Sequence, residues 1–400
     1  MSEFFKKFKN VKPRDIGHLL LFLLALPFAL VKRIKRKDLW LICDNGNEAD
    51  DNGFVFFKFI CERYPERDAV FAIRKKSPDR ERVEAVGKTV NYGSFSHWVL
   101  YLTARVNISS QKGGKPNSAV CYLLEVYGLL KNNRVFLQHG VILTDIKFLH
   151  YKNTKMSMFV TSTKREYDFV KQNYGYPDGS VVLTGQPRLD RLHNAKTKKG
   201  RLLIMPTWRK WIGEEDFADG SADDIGRFIK TEYFCRWDSL LRSERLKGIC
   251  EKYGLQVFFC LHREARRFLN CFSGYNNHIT LCGYKEYSTA ELLKTSEYLI
   301  TDYSSIQTDF AYMKKPMAYY HFDYERYTKE HYQKGYFDYT DDGFGPIAES
   351  EDELLDFLEK SAEMSFENEE KYISRSSSFF TLYDEENCLR TYNAVVERWK

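Results

Sequence analysis

The chain has 400 residues, more than one average hydrophobic core accommodates, and this length favours two domains of about 100 to 200 residues each. Its 43% hydrophobic and 16% aromatic residues are typical of a globular protein and exclude disorder over most of the length. The formal net charge of +6 comes from one end, because residues 1–37 carry ten Lys or Arg against two acidic residues. The remainder is nearly neutral, which argues against nucleic acid as a partner.

The nine cysteines are scattered singly, and no two of them form a C-x-x-C pair. An odd number of isolated cysteines indicates free thiols in a reducing compartment, not a disulfide framework or a zinc site. The chain also has no D-x-D sequence and no His/Cys cluster with the spacing of metal ligands. The sequence therefore predicts a metal-independent site.

Residues 1–37 predict a membrane-associating segment. Residues 19–31 are apolar throughout, but these 13 residues are fewer than the roughly 20 that a membrane-spanning helix needs. Pro27 weakens a continuous helix, and basic residues on both sides suit a segment that lies among anionic headgroups. A signal anchor and a buried core helix stay open as alternatives. A cleaved signal peptide is disfavoured, because a polybasic run follows the apolar stretch.

From Leu39 onward, strand and helix patterns alternate, which predicts an α/β protein with parallel sheets covered by helices. We expect two doubly wound, Rossmann-like domains that face a cleft. Strands are predicted at 39–43, 69–73, 89–92, 106–109, 135–137, 158–161, 181–184, 202–205, 257–260, 279–282, 298–301 and 317–320. A long helix is predicted over 233–253 and a polar, mobile loop over 210–230.

These patterns divide the chain into four predicted parts. The membrane-associating segment covers residues 1–37, and an N-terminal Rossmann-like domain covers 38–155. A C-terminal Rossmann-like domain covers 156–375, and a closing helix covers 376–400.

Polar residues follow several of the predicted strands, at the sheet edge where such folds bind ligands. They include Gln138-His139-Gly140, Gly185-Gln-Pro-Arg188, Pro206-Thr207-Trp-Arg209, Leu261-His262-Arg263 and Asp302-Tyr-Ser304-Ser305. This set is cationic and rich in hydrogen-bond donors, which suits a pyrophosphate whose developing charge is stabilised without metal. His139 is a natural base for an attacking hydroxyl, and Gly140 lets a ligand approach the backbone. A structural role is the alternative for either His139 or His262.

The stretch from Tyr298 to Tyr320 predicts a strand, a polar turn, a helix and a second strand. Ser304 and Ser305 fall at the N-terminus of the predicted helix, where backbone N–H groups and the helix dipole favour a phosphate. Helix capping is the alternative role for these serines.

The order of these motifs, together with Asp51-Asn-Gly53 and Gly345-Pro-Ile347, resembles the CDP-glycerol glycerophosphotransferase family over roughly residues 39–350. The resemblance implies a GT-B-like transferase at the cytoplasmic face of the cell membrane, peripheral or monotopic. Such an enzyme transfers a polyol phosphate, glycerol phosphate being the first expectation, from a CDP-activated donor to a lipid-linked saccharide or teichoic-type acceptor and releases CMP. It needs no cofactor besides that donor.

The resemblance also implies roles for individual residues. His139 matches the family's base, and Ser304 and Ser305 match its phosphate-binding pair. The remaining matches are expected to hold the nucleotide, the pyrophosphate or the polyol: Arg188, Thr207, Arg209, His262 and Asp309. The N-terminal domain is then the acceptor side and the C-terminal domain binds the CDP donor. The sequence departs from the family pattern at Val141-Ile142, where Thr-Pro is common, and at Arg263, where Pro is common.

Two other functions stay open at this point. A GT-B glycosyltransferase would use a sugar nucleotide and act at an anomeric carbon. A non-catalytic, membrane-bound protein would bind nucleotide without turning it over.

Overall fold

Two parallel β-sheets form the cores of two units in the computed structural model, which describes residues 13–213, 222–283, 286–331 and 334–400. The predicted polar loop over 210–230 lies partly outside these residues. In its described part, Lys210–Gly213 and Ala222–Phe228 are helical.

The strands are β1 (Trp40–Cys43), β2 (Ala69–Ile73), β3 (Thr89–Asn91), β4 (Val106–Ser109), β5 (Arg134–Phe136), β6 (Met158–Thr161), β7 (Val181–Leu183), β8 (Arg201–Ile204), β9 (Gln256–Phe259), β10 (Ile279–Leu281), β11 (Tyr298–Thr301), β12 (Met317–Tyr320) and β13 (Ile347–Ala348). The α-helices are α1 (Pro13–Lys35), α2 (Asn52–Arg63), α3 (Arg80–Glu84), α4 (Phe95–Thr103), α5 (Ser118–Val126), α6 (Tyr151–Thr154), α7 (Lys164–Asn173), α8 (Lys210–Gly213), α9 (Ala222–Phe228), α10 (Glu232–Arg242), α11 (Glu244–Tyr253), α12 (Thr289–Thr295), α13 (Ile306–Tyr312), α14 (Tyr324–Glu330), α15 (Tyr339–Asp342), α16 (Glu351–Glu363), α17 (Glu370–Phe379) and α18 (Asn387–Arg398). Short 3-10 helices lie at Lys147–Leu149 and Pro187–Arg191, and a longer one lies at Arg263–Cys271.

The first unit comprises residues 13–141, 147–191 and 384–400 of the described chain. Its seven parallel strands have the order β3-β2-β1-β4-β5-β6-β7, and Ile42 in β1 pairs with Phe71 on one side and Ile108 on the other. Apolar residues occupy both faces of β1, as expected for a parallel strand that helices cover on both sides.

The predicted domain boundary after residue 155 is wrong, because it falls inside this first sheet. Phe159 in β6 pairs with Phe136 in β5 and with Val181 in β7, so that β6 and β7 extend the sheet. The predicted closing segment 376–400 is also divided, since α17 belongs to the second unit and α18 to the first. Alternating strand and helix patterns do not specify which of two sheets a strand joins.

The second unit comprises residues 142–146 and the described part of 192–383. Its six parallel strands have the order β10-β9-β8-β11-β12-β13, and Leu202 in β8 pairs with Tyr298 and Val257. A large aromatic core that includes Trp237 and Phe259 fills one side of the sheet. The helix predicted over 233–253 is two helices, because Ser243 ends α10 and caps α11 by accepting a hydrogen bond from the Leu246 N–H.

Strand order reverses between β1 and β4 in the first sheet and between β8 and β11 in the second. In open α/β sheets, the carboxyl edge at such a reversal leaves a crevice between diverging loops, and ligands bind there. The loops that follow these strands therefore define where a site is expected in each unit.

Helix α1 is continuous through Pro27, although the sequence predicts that this proline weakens a continuous helix. One face packs against the first unit, where the Phe22 and Trp98 rings are 5.6 Å apart and Ala25 is fully buried. The Trp98 indole N–H donates to His18 Nδ1 over 3.1 Å. After the proline, the Phe28 and Phe95 rings are 5.5 Å apart and Ala29 is buried, so contacts on both sides of Pro27 hold the two halves in line.

The opposite face of α1 is apolar and exposed. Ten of the eighteen large apolar side chains that are exposed in the described chain lie on this helix. By length and composition, α1 alone among the described helices could cross a membrane, and only 22% of its most apolar window is buried. This helix thus combines a face that belongs to the protein core with a face that has no protein partner in the described chain.

Candidate active site

His139 and Asp51 form a pair at the carboxyl edge of the first sheet. Asp51 stands at the N-terminus of α2, and His139 lies in the loop after β5. His139 Nδ1 is 2.5 Å from Asp51 Oδ2, and 65% of the His139 side chain is exposed against 12% of the Asp51 side chain. The imidazole therefore faces solvent, while the carboxylate that orients it is mostly buried.

The pair fixes both the protonation and the orientation of the imidazole. The negative charge of Asp51 raises the pKa of His139 above its ordinary value. Burial opposes ionisation of Asp51, but His139 and Arg188 together hold the pKa of this carboxyl below its usual value. With Nδ1 facing the carboxylate, the neutral ring carries its proton on Nδ1 and keeps the lone pair of Nε2 available.

The residue before His139, Gln138, has a strained backbone conformation that sets the position of His139. Gln138 has φ of +66°, a left-handed conformation that non-glycine residues rarely adopt. Its side-chain amide donates to the Val160 carbonyl over 2.5 Å and to Glu166 Oε1 over 2.9 Å. Its carbonyl accepts from Asn52 Nδ2 over 2.8 Å. Buried hydrogen bonds on both sides hold this conformation, as is typical of residues next to a functional group.

Arg188 lies beside the same pair, so the structure brings together two residues that the sequence predicted for one site. Its Nη1 is 3.3 Å from Asp51 Oδ1 and also donates to the His139 carbonyl. Its backbone N–H donates to Asn52 Oδ1 over 2.8 Å. The buried Asn52 amide thus links the loops that carry Asp51, His139 and Arg188.

In the second unit, a buried carboxylate organises the switch point, which is the reversal of strand order between β8 and β11. Asp302 follows β11 and is fully buried. Its Oδ1 accepts from the Thr207 N–H over 2.8 Å and from the Tyr303 N–H over 2.6 Å. Its Oδ2 accepts from Arg209 Nη1 over 2.9 Å. One side chain therefore fixes the loops after β8 and β11 to each other.

The prediction that Arg209 contacts the donor is not supported, because this guanidinium is fully buried beneath the turn. It forms a bidentate pair with Asp323 over 2.7 and 3.0 Å and also donates to the Thr207 carbonyl over 2.7 Å. Its charge lies 4.9 Å from the centre of the Tyr303 ring. Arg209 therefore holds Asp302 and Asp323 in place beneath the turn.

Three hydroxyl side chains remain available near this switch point. Helix α13 begins at Ile306 and has seven residues, and Ser305 makes no side-chain cap hydrogen bond to it. Ser304 Oγ has a long 3.5 Å contact with the Ile306 N–H. The buried Thr207 Oγ1 has no hydrogen-bond partner among the described residues. Ser304 therefore makes only a long capping contact and Ser305 makes none, and the short helix adds only a small dipole.

His262 presents the opposite tautomer to His139. Its Nδ1 accepts from the Glu264 N–H over 3.3 Å at the start of the 3-10 helix Arg263–Cys271, and its ring stacks on Trp208. The neutral ring therefore carries its proton on Nε2 and is a hydrogen-bond donor at that atom. Of the other predicted residues, Gly140 is half-buried and Asp309 is buried in α13.

Two acidic residues near His139 are not among the site residues predicted from the sequence. They are Asp51 and, behind it, Asp44. Both belong to the loop after β1, one of the two strands at the reversal of strand order. The rule that ligands bind at that reversal was the available signal. Within the described residues, no group of three or more His, Cys, Asp or Glu side chains is placed to hold a metal ion.

Comparison with known proteins finds similarity along almost the whole chain. The profile of a family described as CDP-Glycerol:Poly(glycerophosphate) glycerophosphotransferase matches residues 24–397. The minor teichoic acid biosynthesis protein GgaB of Bacillus subtilis (strain 168) is 34% identical over 367 residues, which cover 90% of this chain and 40% of GgaB. The teichoic acid ribitol-phosphate polymerase TarK of Staphylococcus aureus (strain NCTC 8325 / PS 47) is 27% identical over 217 residues, which cover 50% of this chain and 38% of TarK. These alignments span about two fifths of each relative.

The fold is similar to that of a solved structure, the wall teichoic acid polymerase TagF. The TM-score is 0.66 with 16% sequence identity, and the superposition covers 98% of this chain and 97% of that chain. This similarity confirms the predicted fold class, two parallel-sheet α/β domains of GT-B-like architecture.

Replacing Arg209 by Met tests the arrangement around Asp302. The substitution leaves Asp302 and Asp323 buried without a compensating charge, so we expect the free energy of unfolding to fall by about 3–5 kcal/mol in urea denaturation. The matched control is Arg245→Met, which breaks exposed ion pairs with residues such as Asp356 and an exposed hydrogen bond to the Asp352 carbonyl, and should cost less than about 1 kcal/mol. Equal losses in the two variants would contradict the organising role of Arg209.

Proposed function

The chain belongs to the CDP-glycerol:poly(glycerophosphate) glycerophosphotransferase family of teichoic acid polyol-phosphate transferases, and we propose that it transfers a polyol phosphate from a CDP-activated donor to a lipid-linked saccharide or teichoic-type acceptor. Glycerol phosphate is the first expectation, and ribitol phosphate is the second. The observation that carries the proposal is the solvent-facing His139 backed by the buried Asp51.

His139 is the general base in this proposal. An acceptor hydroxyl attacks the donor phosphorus that bears the polyol, and its proton moves to His139 Nε2 as the new P–O bond forms. The bond from that phosphorus to the bridging oxygen breaks, and the electron pair leaves with CMP. Asp51 stabilises the imidazolium that results, as the orienting carboxylate does in other His-based sites.

The second unit holds the donor in this proposal. The hydroxyls of Thr207, Ser304 and Ser305 donate to phosphate oxygens without adding charge. His262 donates from Nε2 to the oxygen that leaves with CMP, because its Nδ1 already accepts from the backbone. The tautomers of the two histidines thus separate their roles, one accepting a proton and the other donating a hydrogen bond. Arg188 and Asp309 keep their predicted assignment to the donor or the polyol.

A donor panel tests the function. We expect CMP release from CDP-glycerol or CDP-ribitol in the presence of a lipid-linked saccharide, with product length resolved by electrophoresis. Release of UDP from a UDP-sugar would indicate attack at an anomeric carbon and would favour a glycosyltransferase. Donor binding with no nucleotide released on any acceptor would favour the non-catalytic alternative. Metal independence stays a prediction, and EDTA in the same assay tests it.

Replacing His139 by Ala tests the base. We expect turnover to fall by about a hundredfold or more while donor binding persists. Since the pKa of His139 is raised above 6.5 and only the neutral ring accepts a proton, kcat/KM of the unaltered enzyme should rise with pH through that raised value. Asp51→Asn removes the negative charge that raises the pKa of His139, so the rise in kcat/KM should occur at lower pH. His150→Ala, at a histidine outside the site, is the matched control; near-normal turnover of His139→Ala would refute the assignment.

We also propose that the exposed face of α1 lies on an anionic membrane surface. Its inner face is fixed to the first unit by the contacts of Phe22 and Ala25 and by a 2.8 Å hydrogen bond from Asn117 to Asp15, so the helix cannot cross a bilayer without losing them. Lys32, Arg33 and Lys35 in its last turn suit anionic headgroups. The cytoplasmic face of the membrane follows from the CDP-linked donor, and it stays a prediction.

Vesicle binding tests the membrane proposal. Leu20 and Leu24 are 58% and 61% exposed, so Leu20→Asp with Leu24→Asp leaves the core intact. We expect co-sedimentation with phosphatidylglycerol-containing vesicles to weaken by about tenfold or more, because apolar area no longer enters the interface. Ile229→Asp, at an exposed apolar residue of the second unit, is the matched control. Unchanged partitioning of the double variant, with unchanged melting temperature, would contradict the proposal.

A further inference from the structure

Asp44 is a second carboxylate behind the His139–Asp51 pair. It follows β1 directly and is 1% exposed. Oδ1 accepts from the Gly53 N–H over 2.8 Å and from Ser110 Oγ over 2.7 Å. Oδ2 accepts from the Asp51 N–H over 3.3 Å and from the Phe54 N–H over 3.2 Å. All four groups donate to Asp44, and these hydrogen bonds favour its ionised form.

The four contacts come from two loops that meet at the switch point. Ser110 follows β4, and the three backbone N–H groups belong to Asp51 and the first turn of α2. Buried N–H groups at a helix N-terminus need acceptors, and a buried carboxylate needs donors. Asp44 satisfies both requirements together, and it thereby fixes the backbone position of Asp51.

Gly53 leaves the space that the Asp44 carboxylate occupies. A Cβ on Gly53 would lie 2.4 Å from Asp44 Oδ1 and 2.9 Å from the Cys43 carbonyl, distances that real Cβ atoms do not adopt. Only glycine lets Asp44 reach the N–H of residue 53. The Asp51-Asn52-Gly53 sequence therefore contains the orienting carboxylate, the amide that links the loops, and the space that Asp44 occupies.

We propose that Asp44 is a positioning residue for catalysis: it fixes the backbone of Asp51, so that the Asp51 carboxylate stays aimed at His139 Nδ1. The inference rests on the proposed role of His139 as the base. Asp44 touches no reacting atom and acts through Asp51.

Charges around Asp44 give the inference a second readout. The ionisable groups that it faces are Cys43 on β1, Asp51, and His139 after β5, with Arg188 beyond them. Burial and then the charge of Asp51 raise the pKa of Asp44 to about 7, so its carboxylate is ionised in an assay at pH 8. Its negative charge adds to the rise in the pKa of His139, and removing that charge should lower it.

The experiment compares variants of the full chain in CMP release from the donor that the panel identifies, at pH 8. Asp44→Asn removes the charge, and Gly53→Ala displaces the carboxylate while leaving the charge. We expect each to lower kcat by about tenfold to a hundredfold, with KM for the donor within about twofold, since a misaligned base slows the chemical step and not binding. Asp44→Asn should also move the acidic limb of kcat/KM to lower pH by on the order of half a unit.

A double-mutant cycle separates positioning from general loss of structure. In the Asp51→Asn background, Asp44→Asn should lower kcat by less than about threefold further, because the path through Asp51 is already broken. Ser94→Ala, which removes the N-cap of α4 in the same unit, is the matched control for lost stability. Additive losses in the cycle, or normal kcat in Asp44→Asn and Gly53→Ala, would overturn the inference.

Two further comparisons keep the result decisive. If both variants fail to fold, Ser110→Ala removes only one of the four donors, and a normal kcat in that variant overturns the inference. If His139→Ala retains normal turnover, the proposed base is wrong. Lost turnover in His139→Ala with normal turnover in Asp44→Asn overturns the role of Asp44 alone.

Discussion

The hydrogen bonds to two buried carboxylates, Asp44 in the first unit and Asp302 in the second, hold the functional loops in place. Each stands at the end of a strand beside the reversal of strand order. An ionised carboxylate in the interior is unfavourable unless donors surround it, and here backbone N–H groups of neighbouring loops supply them. The loops cannot move away without leaving a charge unsolvated. The rigidity of the candidate site residues in each unit thus follows from an electrostatic requirement beneath them.

That arrangement leaves polar atoms of the candidate site residues accessible or without a partner. His139 is the exposed member of its pair, and Thr207 Oγ1 has no hydrogen-bond partner among the described residues. Arg209 shows the complementary case, a cation whose donors are directed to buried carboxylates and to a backbone carbonyl. Residues that hold the sheet edge and residues proposed to contact the ligand are therefore different residues, although they are neighbours in sequence.

The fold class and most strands were predictable because a parallel strand buried on both faces needs a run of apolar residues. The association of His139 with Arg188 was predictable as well, since both follow strands of the same edge. The burial of Arg209 was not predictable in the same way. The local sequence pattern of an arginine after a strand is the same whether its side chain lies on the exposed side of the loop or beneath it. Likewise, Asp44 and Asp51 look like ordinary turn residues until tertiary contacts show that they accept buried donors. The course of α1 through Pro27 depended on packing against Trp98, which no local pattern contains.

Helix α18 returns to the first unit after the whole second unit has intervened in the sequence. Asp190 accepts hydrogen bonds from the Asn387 and Cys388 N–H groups at 2.9 and 2.8 Å, nearly two hundred residues further along the chain. During synthesis, the ribosome must therefore produce residues 192–383 before the first unit can complete its core. The surroundings of His139 are consequently completed after the polypeptide of the second unit has been made, and a nascent chain stalled before residue 384 lacks part of the unit that carries His139.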